Sequence, residues 1–476
     1  MTELMKNARV VRRLWSEGSW RREMPEKPPV TGTQSPGETE DGLDRLRAAA
    51  KKNKELKFDN LMHHIDIKML RRAYFALNRQ AAKGVDRQSW EDYGRSLEPQ
   101  IERLHTRLHE GKYRPKPVRR VWIPKADGRL RPLGVTSIED KLVQQALVWV
   151  LERIYEIDFK GFSYGFRPGK SQHHALDAIY VALTQRKVSW ILDTDISAYF
   201  DSVDHEWLMK FVSHRIADRR ILRLIEQTLK AGVMEEGKWQ ATKAGTPQGG
   251  VLSPLLANIY LHYSLDLWVE AWRKRRARGE VYIVRYADDA VLGFQYREDA
   301  VRLQRELTQR LEKFALKLHP EKTRLLEFGR FAESNRAQRG EGKPETFAFL
   351  GFTHICARRR SDGSFTVRRI TVEKRMRGFI AKMKAWLLEN RQVPIAVQGN
   401  YIKQALTGFT NYFGVPGNIG VLSTVRGQVC KAWFRALRRR SQKAIRLTWA
   451  KMQHNIRAWI PTLHIVHPYP NQRLCV

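Results

Sequence analysis

The spacing of apolar residues divides the chain into a helical start, a mixed centre and a helical end. Apolar residues recur every three or four positions from about Leu61 to Leu108, which predicts helices there. In the centre, segments with the two-residue alternation of strands alternate with segments that have helical spacing. Predicted strands cover 118–124, 188–194, 281–286, 290–295, 323–328 and 347–353, and predicted helices cover 139–155, 204–232, 252–274 and 297–317. Such an order suits an antiparallel sheet, so the fold class is predicted to be α+β.

Composition changes at both ends of the chain. Residues 24–43 are rich in Pro, Gly, Thr and Glu, which predicts a flexible linker after a basic arm at residues 1–22. Residues 427–450 predict a pair of basic amphipathic helices. Their predicted inward-facing side chains are Trp433, Phe434, Leu437, Ile445 and Trp449.

The net charge of the chain indicates what kind of molecule it binds. The 476 residues include 86 Lys or Arg and 50 Asp or Glu, for a net charge of +36, and 42% are hydrophobic. That apolar content excludes a fully disordered chain, and the charge points first to nucleic acid, with an anionic membrane surface as the alternative. Residues 371–476 hold 18 Lys or Arg and two acids, a net +16. This segment is predicted to bind RNA through phosphate contacts and stacking.

Cysteine usage and hydropathy narrow the class of protein. Cys356, Cys430 and Cys475 lie far apart without a Cys-X-X-Cys pair, which argues against a zinc finger and a disulfide framework. No run of 18 apolar residues occurs, and the N-terminus lacks an apolar signal core. We therefore expect an intracellular protein that holds no zinc and does not span a membrane.

Carboxylates stand where predicted strands end. Asp193 and Asp195 follow one strand, and Asp288 and Asp289 lie between two others. Clustered carboxylates repel each other, and a cation of high charge removes that cost. Two Mg²⁺ ions held by three Asp side chains are a standard arrangement for phosphoryl transfer. The alternative is that Asp288 and Asp289 simply favour a hairpin turn.

Three segments, taken in order, resemble the reverse transcriptases. They are DISAYFD at 195–201, GTPQGG at 245–250 and YADD at 286–289. The runs RPLGVTSIEDKLVQQAL from residue 131 and FSYGFRPGKSQ from residue 162 resemble the bacterial group II intron reverse transcriptase-maturases in particular. The resemblance covers about residues 55–470, nearly the whole chain.

The resemblance implies a right-hand polymerase with helical and β fingers. Its expected divisions are a basic arm and linker at 1–50, an N-terminal extension and fingers at 51–190, a palm with an antiparallel sheet and finger insertions at 191–365, and an α-helical thumb/maturase domain with a C-terminal tail at 366–476.

The resemblance also assigns roles to single residues. The expected catalytic and metal-ligating side chains are Asp195, Asp288 and Asp289, which with the Ile196 carbonyl would hold two Mg²⁺ ions, or Mn²⁺. The residues expected to bind the nucleotide are Lys125, Arg131, Phe200, Gln248 and Gly249, and Phe200 would exclude a 2′-hydroxyl. Those expected to contact template, primer or RNA are Arg167, Lys170, Gly351, Arg435, Arg438 and Arg439. Lys322 is a candidate general acid for pyrophosphate, the alternative being a surface lysine.

The expected function is that of an RNA-directed DNA polymerase that binds its group II intron RNA, assists splicing and reverse transcribes the RNA during intron mobility. The partners implied are intron RNA, an RNA template with a DNA primer, dNTPs and target DNA. Because the chain stops at Val476 without cysteine pairs, we expect the type that lacks an endonuclease. The expected location is the bacterial cytoplasm, with nucleoid association when the protein acts on DNA.

Two alternatives differ in what they predict. A CRISPR-associated or otherwise domesticated reverse transcriptase of group II origin would keep the same chemistry. A purely RNA-binding splicing cofactor predicts loss of the three aspartates, whereas Asp195, Asp288 and Asp289 are all present.

Overall fold

The computed structural model describes residues 38–124, 130–235, 238–241, 244–246 and 249–473. The predicted basic arm lies outside the described residues, as do Lys125 and Gln248. The predicted linker at 24–43 is wrong for its described part, because a helix begins at Glu38. Leu43, Leu46 and Ala50 of this helix are buried in the core, and their packing outweighs the Pro and Gly content upstream.

The secondary structure alternates along most of the chain. The α-helices are α1 Glu38–Lys52, α2 Ile67–Ala76, α3 Trp90–Gly94, α4 Leu97–His109, α5 Ile138–Asp158, α6 Gln172–Gln185, α7 Tyr199–Ser202, α8 His205–Val212, α9 Arg219–Lys230, α10 Ser253–Leu261, α11 Leu267–Arg275, α12 Arg297–Glu312, α13 Ala332–Gln338, α14 Glu373–Glu389, α15 Ile395–Phe413, α16 Ile419–Arg438, α17 Trp449–Trp459 and α18 Pro470–Arg473. The strands are β1 Val118–Pro124, β2 Leu130–Val135, β3 Trp190–Thr194, β4 Val233–Glu235, β5 Lys238–Gln240, β6 Val281–Tyr286, β7 Asp289–Phe294, β8 Arg324–Glu327, β9 Phe347–Phe349, β10 Phe352–Arg358 and β11 Phe365–Thr371.

Short polar side chains start many of the helices. Asp66 caps α2 by accepting a hydrogen bond from the Met69 N–H, and Ser89 and Asp92 form a capping box at α3. Ser137 and Ser171 cap α5 and α6 in the same way as Asp66 caps α2. Such caps satisfy backbone donors that a helix leaves open at its N-terminus. They explain why the long helical patterns of the sequence divide into separate helices.

A four-stranded sheet with the order β6-β7-β3-β8, called the central sheet below, carries the segments of chemical interest. Every neighbouring pair in it is antiparallel, which confirms the predicted α+β class. β3 lies in the middle, where Asp193 stands opposite Val291 on one side and Arg324 on the other. The central sheet therefore fixes the chain after β3 relative to the β6–β7 hairpin.

Two further sheets, of four and three strands, complete the β-structure of the described residues. The N-terminal sheet has the order β2-β1-β4-β5, in which β1 and β4 run parallel. The C-terminal sheet has the order β11-β10-β9. The single strand predicted at 347–353 is thus two strands, because Leu350 and Gly351 both take positive φ, as two-residue hairpin turns require.

The buried side chains form two core clusters. One joins α1–α5 to the β3 and β6–β7 side of the central sheet and to α8–α12, and the other joins α6, the C-terminal sheet and α14–α17. The predicted domain divisions at 50, 190 and 365 stay predictions. No helix within the described ranges is both long enough and apolar enough to cross a membrane.

The basic helix pair predicted at 427–450 is partly wrong. α16 buries Trp433 and Leu437 as expected, but it ends at Arg438. A 3-10 turn at Lys443–Arg446 then shifts the phase of the side chains. Ile445 and Trp449, predicted to face inward, are 57% and 41% exposed.

The segment before α18 packs back onto α6. The His467 ring stacks on the His173 ring with the centroids 3.6 Å apart. Arg473 Nε lies 3.3 Å from Asp177 Oδ2, and Arg369 Nη1 lies 2.8 Å from Asp177 Oδ1. Residues from α6, from β11 and from the end of the described chain thus share one buried cluster.

Gln398 on α15 offers a test of the packing of the C-terminal helices. It is fully buried, accepts a hydrogen bond from Trp433 Nε1 at 2.8 Å and donates to the Asn390 carbonyl at 2.8 Å. Gln398→Leu leaves the Trp433 Nε1–H without this partner, while the Asn390 carbonyl still accepts from the Val393 N–H at 3.1 Å. We therefore expect a loss of about 1–3 kcal/mol of unfolding free energy. Calorimetric melting measures this, with Gln392→Leu as the control, because Gln392 is exposed. Equal melting temperatures for the two variants would contradict the expectation.

Candidate active site

Carboxylates from two distant segments meet at one end of the central sheet. The register pairs Thr194, the last residue of β3, with Ala290 on β7. Asp195 follows Thr194, and Asp289 precedes Ala290, so antiparallel pairing brings both to the same place. After burial and the charge of Asp288, the charge of Asp195 contributes to the raised pKa of Asp289, as expected for two carboxylates that lie close together. The sheet therefore joins two of the three predicted catalytic residues directly.

Asp195 is held by the loop that leads to β8. The Asp195 carbonyl accepts a hydrogen bond from the His319 N–H at 2.8 Å, and Ile196 pairs with Leu318 in an isolated antiparallel bridge. Lys322 Nζ forms an ion pair with Asp195 Oδ2, and its side chain is 57% exposed. Lys322 thus lies at the acidic cluster, as a role near the reacting groups requires.

The surroundings of these carboxylates disfavour negative charge. Burial raises the pKa of Asp288, and Asp195 adds to that effect while Arg131 opposes it. Burial also raises the pKa of Asp193 to about 6, against the pull of Arg324. Removal from bulk water, and then the charges of Asp288 and Asp195, raise the pKa of Asp289. The pKa of Asp289 is raised even though Asp289 is the one residue of β7 that is exposed.

The acidic cluster suits a divalent cation by its chemistry. Carboxylate oxygens are hard ligands, and their mutual repulsion is the cost that a cation removes. Within the described ranges, no three Asp, Glu, His or Cys side chains already stand together as a metal site. Asp195 is instead neutralised by Lys322. Asp195, Asp288 and Asp289 are the residues that would hold the metal.

Phe200 belongs to a group of aromatic rings that reaches the β6–β7 hairpin. The rings of Phe166 and Phe200 meet edge to face with centroids 6.5 Å apart, and the Phe166 ring lies 6.3 Å from the Tyr286 ring. Phe166 is 39% exposed and has a φ of 56°, which is rare for a bulky residue. Phe166 was not predicted as a site residue, although its place in the FSYGFRPGKSQ run was an available signal.

The loop before α10 is tied to the turn that carries Phe200. The Thr246 N–H donates to the Phe200 carbonyl at 2.8 Å, and a Cβ on Gly245 would meet that carbonyl at 2.9 Å. Gly249 has a φ of +110°, and a Cβ there would meet the Gly134 carbonyl on β2 at 2.8 Å. Gly249 therefore allows a close approach between backbones, and its predicted contact with the nucleotide stays a prediction.

Five of the predicted cations face outward, as their predicted roles require. Arg131 is exposed at the start of β2 and acts on the charge of Asp288. Lys170 is exposed, with Nζ 5.3 Å from the centre of the Tyr164 ring. The exposed cations at the end of α16 are Arg435, Arg438 and Arg439.

The structure corrects the prediction for Arg167. Its side chain is 6% exposed, and its guanidinium forms a fork with Glu156 and donates to the Lys160 carbonyl at 2.8 Å and the Ser163 carbonyl at 2.7 Å. Because these donors are used inside the protein, Arg167 shapes the 160–167 loop rather than contacting a template.

The turn between β9 and β10 is braced from the C-terminal helices. The Tyr412 hydroxyl donates to the Leu350 carbonyl at 2.8 Å, and the Val372 N–H donates to the Gly351 carbonyl at 3.0 Å. A Cβ on Gly351 would meet the Arg375 side chain at 3.2 Å. The predicted contact of Gly351 with primer stays a prediction.

A buried polar group beneath the β6–β7 turn was not predicted from the sequence. It contains Ser163, Asn258, Asp266 and Arg285, which are each at most 1% exposed. The signals in the sequence were polar residues inside apolar segments, with Asn258 and Asp266 in the run from Leu255 to Leu267 and Arg285 in the strand VYIVRY.

Comparisons with known proteins agree with this geometry. Residues 123–354 match the family model described as reverse transcriptase (RNA-dependent DNA polymerase). Protein YkfC of Escherichia coli is 36% identical over 330 residues, which cover 62% of this chain and 81% of that protein. The group II intron-encoded protein LtrA of Lactococcus lactis is 43% identical over 173 residues, 36% of this chain and 28% of LtrA. The mitochondrial nuclear intron maturase 1 of Arabidopsis thaliana is 31% identical over 111 residues, 23% of this chain and 15% of that protein.

An antiparallel sheet with acids at one end and a match to the polymerase family define a reverse transcriptase, a class of enzymes that use divalent metal ions. Within that class, the chain belongs to the group II intron reverse transcriptase/maturase family. It spans most of the E. coli relative but only 28% of the lactococcal one.

Gly165 provides a test of the site geometry. A Cβ there would meet the Ala287 nitrogen at 2.4 Å, so Gly165→Ala must displace the β6–β7 turn. Misplacement of reacting groups by about 1 Å can cost about 100-fold in rate, and we expect a loss of that order in kcat for primer extension. Gly161→Ala is the control, because a Cβ at Gly161 meets nothing within 4 Å. Wild-type kcat in Gly165→Ala would show that the turn tolerates displacement.

Proposed function

We propose that the chain copies RNA into DNA at the cluster of Asp195, Asp288 and Asp289, with dNTPs and a DNA primer as substrates. The observation that carries this is the register of β3 and β7, which brings Asp195 and Asp289 to the same end of the central sheet. A non-catalytic RNA-binding cofactor would have no reason to keep a cluster in which burial and then the charges of Asp288 and Asp195 raise the pKa of Asp289.

Mg²⁺ is the proposed metal, and two ions bound by these carboxylates would neutralise the charge that develops on the phosphates. The protein itself fixes the carboxylates through β3 and the β6–β7 hairpin. Phe200 would lie against the sugar of the incoming nucleotide. Arg131 is near enough to act on Asp288, which supports the proposal that it faces the triphosphate.

Lys322 is proposed to deliver a proton to the leaving pyrophosphate. Its contact with Asp195 supports this proposal, because it places an ammonium group beside the reacting region. More than half of the Lys322 side chain is exposed, so it can turn from Asp195 toward an anion. The alternative, an ordinary surface lysine, does not account for the ion pair with a predicted catalytic residue.

We also propose that the C-terminal helices bind the group II intron RNA and assist its splicing, and that the polymerase copies this RNA during intron mobility into target DNA. Support comes from the net charge of +16 over residues 371–476 and from the outward-facing Arg435, Arg438 and Arg439. Exposed arginines suit phosphate contacts and stacking on bases. The intron-encoded relative supports the choice of RNA.

The double variant Asp288→Asn with Asp289→Asn tests the two activities separately. The amides keep the shape of the carboxylates but lose their charge, so Mg²⁺-dependent primer extension on RNA should fall by more than about 100-fold. Splicing of the intron RNA should persist, because the C-terminal helices are unchanged. Extension and splicing are measured on the same preparation. Undiminished cDNA synthesis would sink the metal assignment, and loss of splicing would tie the two activities together.

Phe200→Ala tests the choice between deoxyribonucleotides and ribonucleotides. Removal of the ring should make room for a 2′-hydroxyl and lower the preference for dNTPs by about 10- to 200-fold in kcat/KM. Phe200→Leu is the matched control, since it keeps most of the side-chain volume and should keep most of the preference. An unchanged preference in Phe200→Ala would remove Phe200 from this role.

A further inference from the structure

A buried ion pair lies directly beneath the turn that carries Asp288 and Asp289. Arg285 Nε donates to Asp266 Oδ1 at 2.7 Å, and Arg285 Nη2 donates to Asp266 Oδ2 at 2.6 Å. Both side chains are 1% exposed. A buried ion pair is weak evidence for stability, because the cost of removing both charges from water can exceed their attraction. Its presence here therefore calls for another explanation.

The other donors of Arg285 reach three further parts of the chain. Nη1 donates to the Ala287 carbonyl at 2.9 Å and to Asn258 Oδ1 at 3.3 Å, and Nη2 donates to Ser163 Oγ at 2.7 Å. One guanidinium thus joins the β6–β7 turn, α10, the segment between α10 and α11, and the loop before α6. A lysine could not make these contacts, since it lacks the planar fork.

The hydrogen bond to the Ala287 carbonyl connects Arg285 to the turn that carries Asp288 and Asp289. Ala287 has a φ of 56°, in the left-handed region that residues with a Cβ rarely adopt. Such a conformation persists when the surroundings over-determine it. Here Arg285 donates to the Ala287 carbonyl, and Gly165 packs against the Ala287 nitrogen. Asn258 Nδ2 donates to the Gly165 carbonyl at 2.7 Å and so links the two supports.

A local change of helix type places Asp266 beneath the turn. Residues His262–Asp266, between α10 and α11, form a π segment in which the Leu267 N–H donates to the His262 carbonyl. In a regular α-helix, positions 258 and 266 would differ by about 80° around the axis, because successive residues turn by about 100°. The π segment alters that phase, and both side chains reach Arg285. Such π-bulges occur often at functional sites.

We propose that Arg285 and Asp266 are positioning residues for DNA synthesis. They hold Ala287 in its left-handed conformation, which keeps Asp288 and Asp289 facing Asp195. This inference rests on the proposed function of the aspartates. It assigns a role in the reaction to two residues that touch neither nucleotide nor template.

The test replaces the whole ion pair, so that no buried charge is left without a partner. In Arg285→Met with Asp266→Leu, apolar side chains fill the site, and such exchanges can leave stability unchanged. The matched control is Arg215→Met with Asp158→Leu, a second buried ion pair with Arg215 Nε 3.3 Å from Asp158 Oδ2. Arg215 also donates to the Lys54 carbonyl, so the control pair joins the end of α5 to the segment after α1. Both variants are made in the full chain.

Three measurements separate positioning from general stability. In the Arg285 and Asp266 variant, kcat for primer extension should fall by about 100-fold, while KM for dNTP and the affinity for template–primer change by less than about threefold. Amide hydrogen exchange should accelerate in the peptide that covers 281–294 and not elsewhere. The control variant should keep both kcat and exchange in that peptide, even if its melting temperature falls by the same amount.

The outcomes are distinct. Wild-type kcat and exchange in the Arg285 and Asp266 variant would overturn the positioning role, and so would equal losses of kcat in the two ion-pair variants. If the double variant does not fold, Arg285→Lys takes its place and should lower kcat with little change in KM. Persistent synthesis in Asp288→Asn with Asp289→Asn would overturn the proposed function itself. If DNA synthesis is lost in Asp288→Asn with Asp289→Asn but is complete in the Arg285 and Asp266 variant, only the positioning role is overturned.

Discussion

Like charges stay together in a protein only where rigid surroundings hold them and a cation compensates them. Asp195, Asp288 and Asp289 depend on both conditions. The pairing of β3 with β7 supplies the rigidity, since it fixes the two chain segments that carry the acids. Lys322 supplies a positive charge at Asp195 in the structure. The loops around the central sheet, from Gly165 to His319, can be understood as supports for this one unfavourable arrangement.

The distribution of charge over the molecule follows from the same constraint. The acids proposed to carry the chemistry are few and partly withdrawn from water, whereas Arg435, Arg438 and Arg439 are exposed in the C-terminal segment. A basic surface attracts a polyanion over a distance. Under the proposed function, the small acidic cluster would act on nucleic acid held by that surface. Binding and reaction can therefore be altered by substitutions at separate places.

The sequence predicted the strands around the acids well, because β3, β6 and β7 are short apolar runs bounded by Asp. The predictions failed where the direction or the partner of a side chain depended on how distant parts of the chain, or the turn before it, are arranged. Ile445 and Trp449 fit a helical spacing but follow a 3-10 turn, so they face outward. Arg167 fits the pattern of a nucleic-acid contact, yet Glu156 on α5 binds its guanidinium. Arg285 and Asp266 could not be paired in advance, since a π segment sets their relation.

The buried cluster of His173, His467, Asp177 and Arg473 joins residues that lie far apart along the chain. Proteins are made from the N-terminus onward, so α6 leaves the ribosome long before residues 467–473. The contact that ties the end of the described chain to α6 therefore forms late in synthesis. Until then, a nascent chain can already contain the complete acidic cluster but lacks the contact between α6 and residues 467–473.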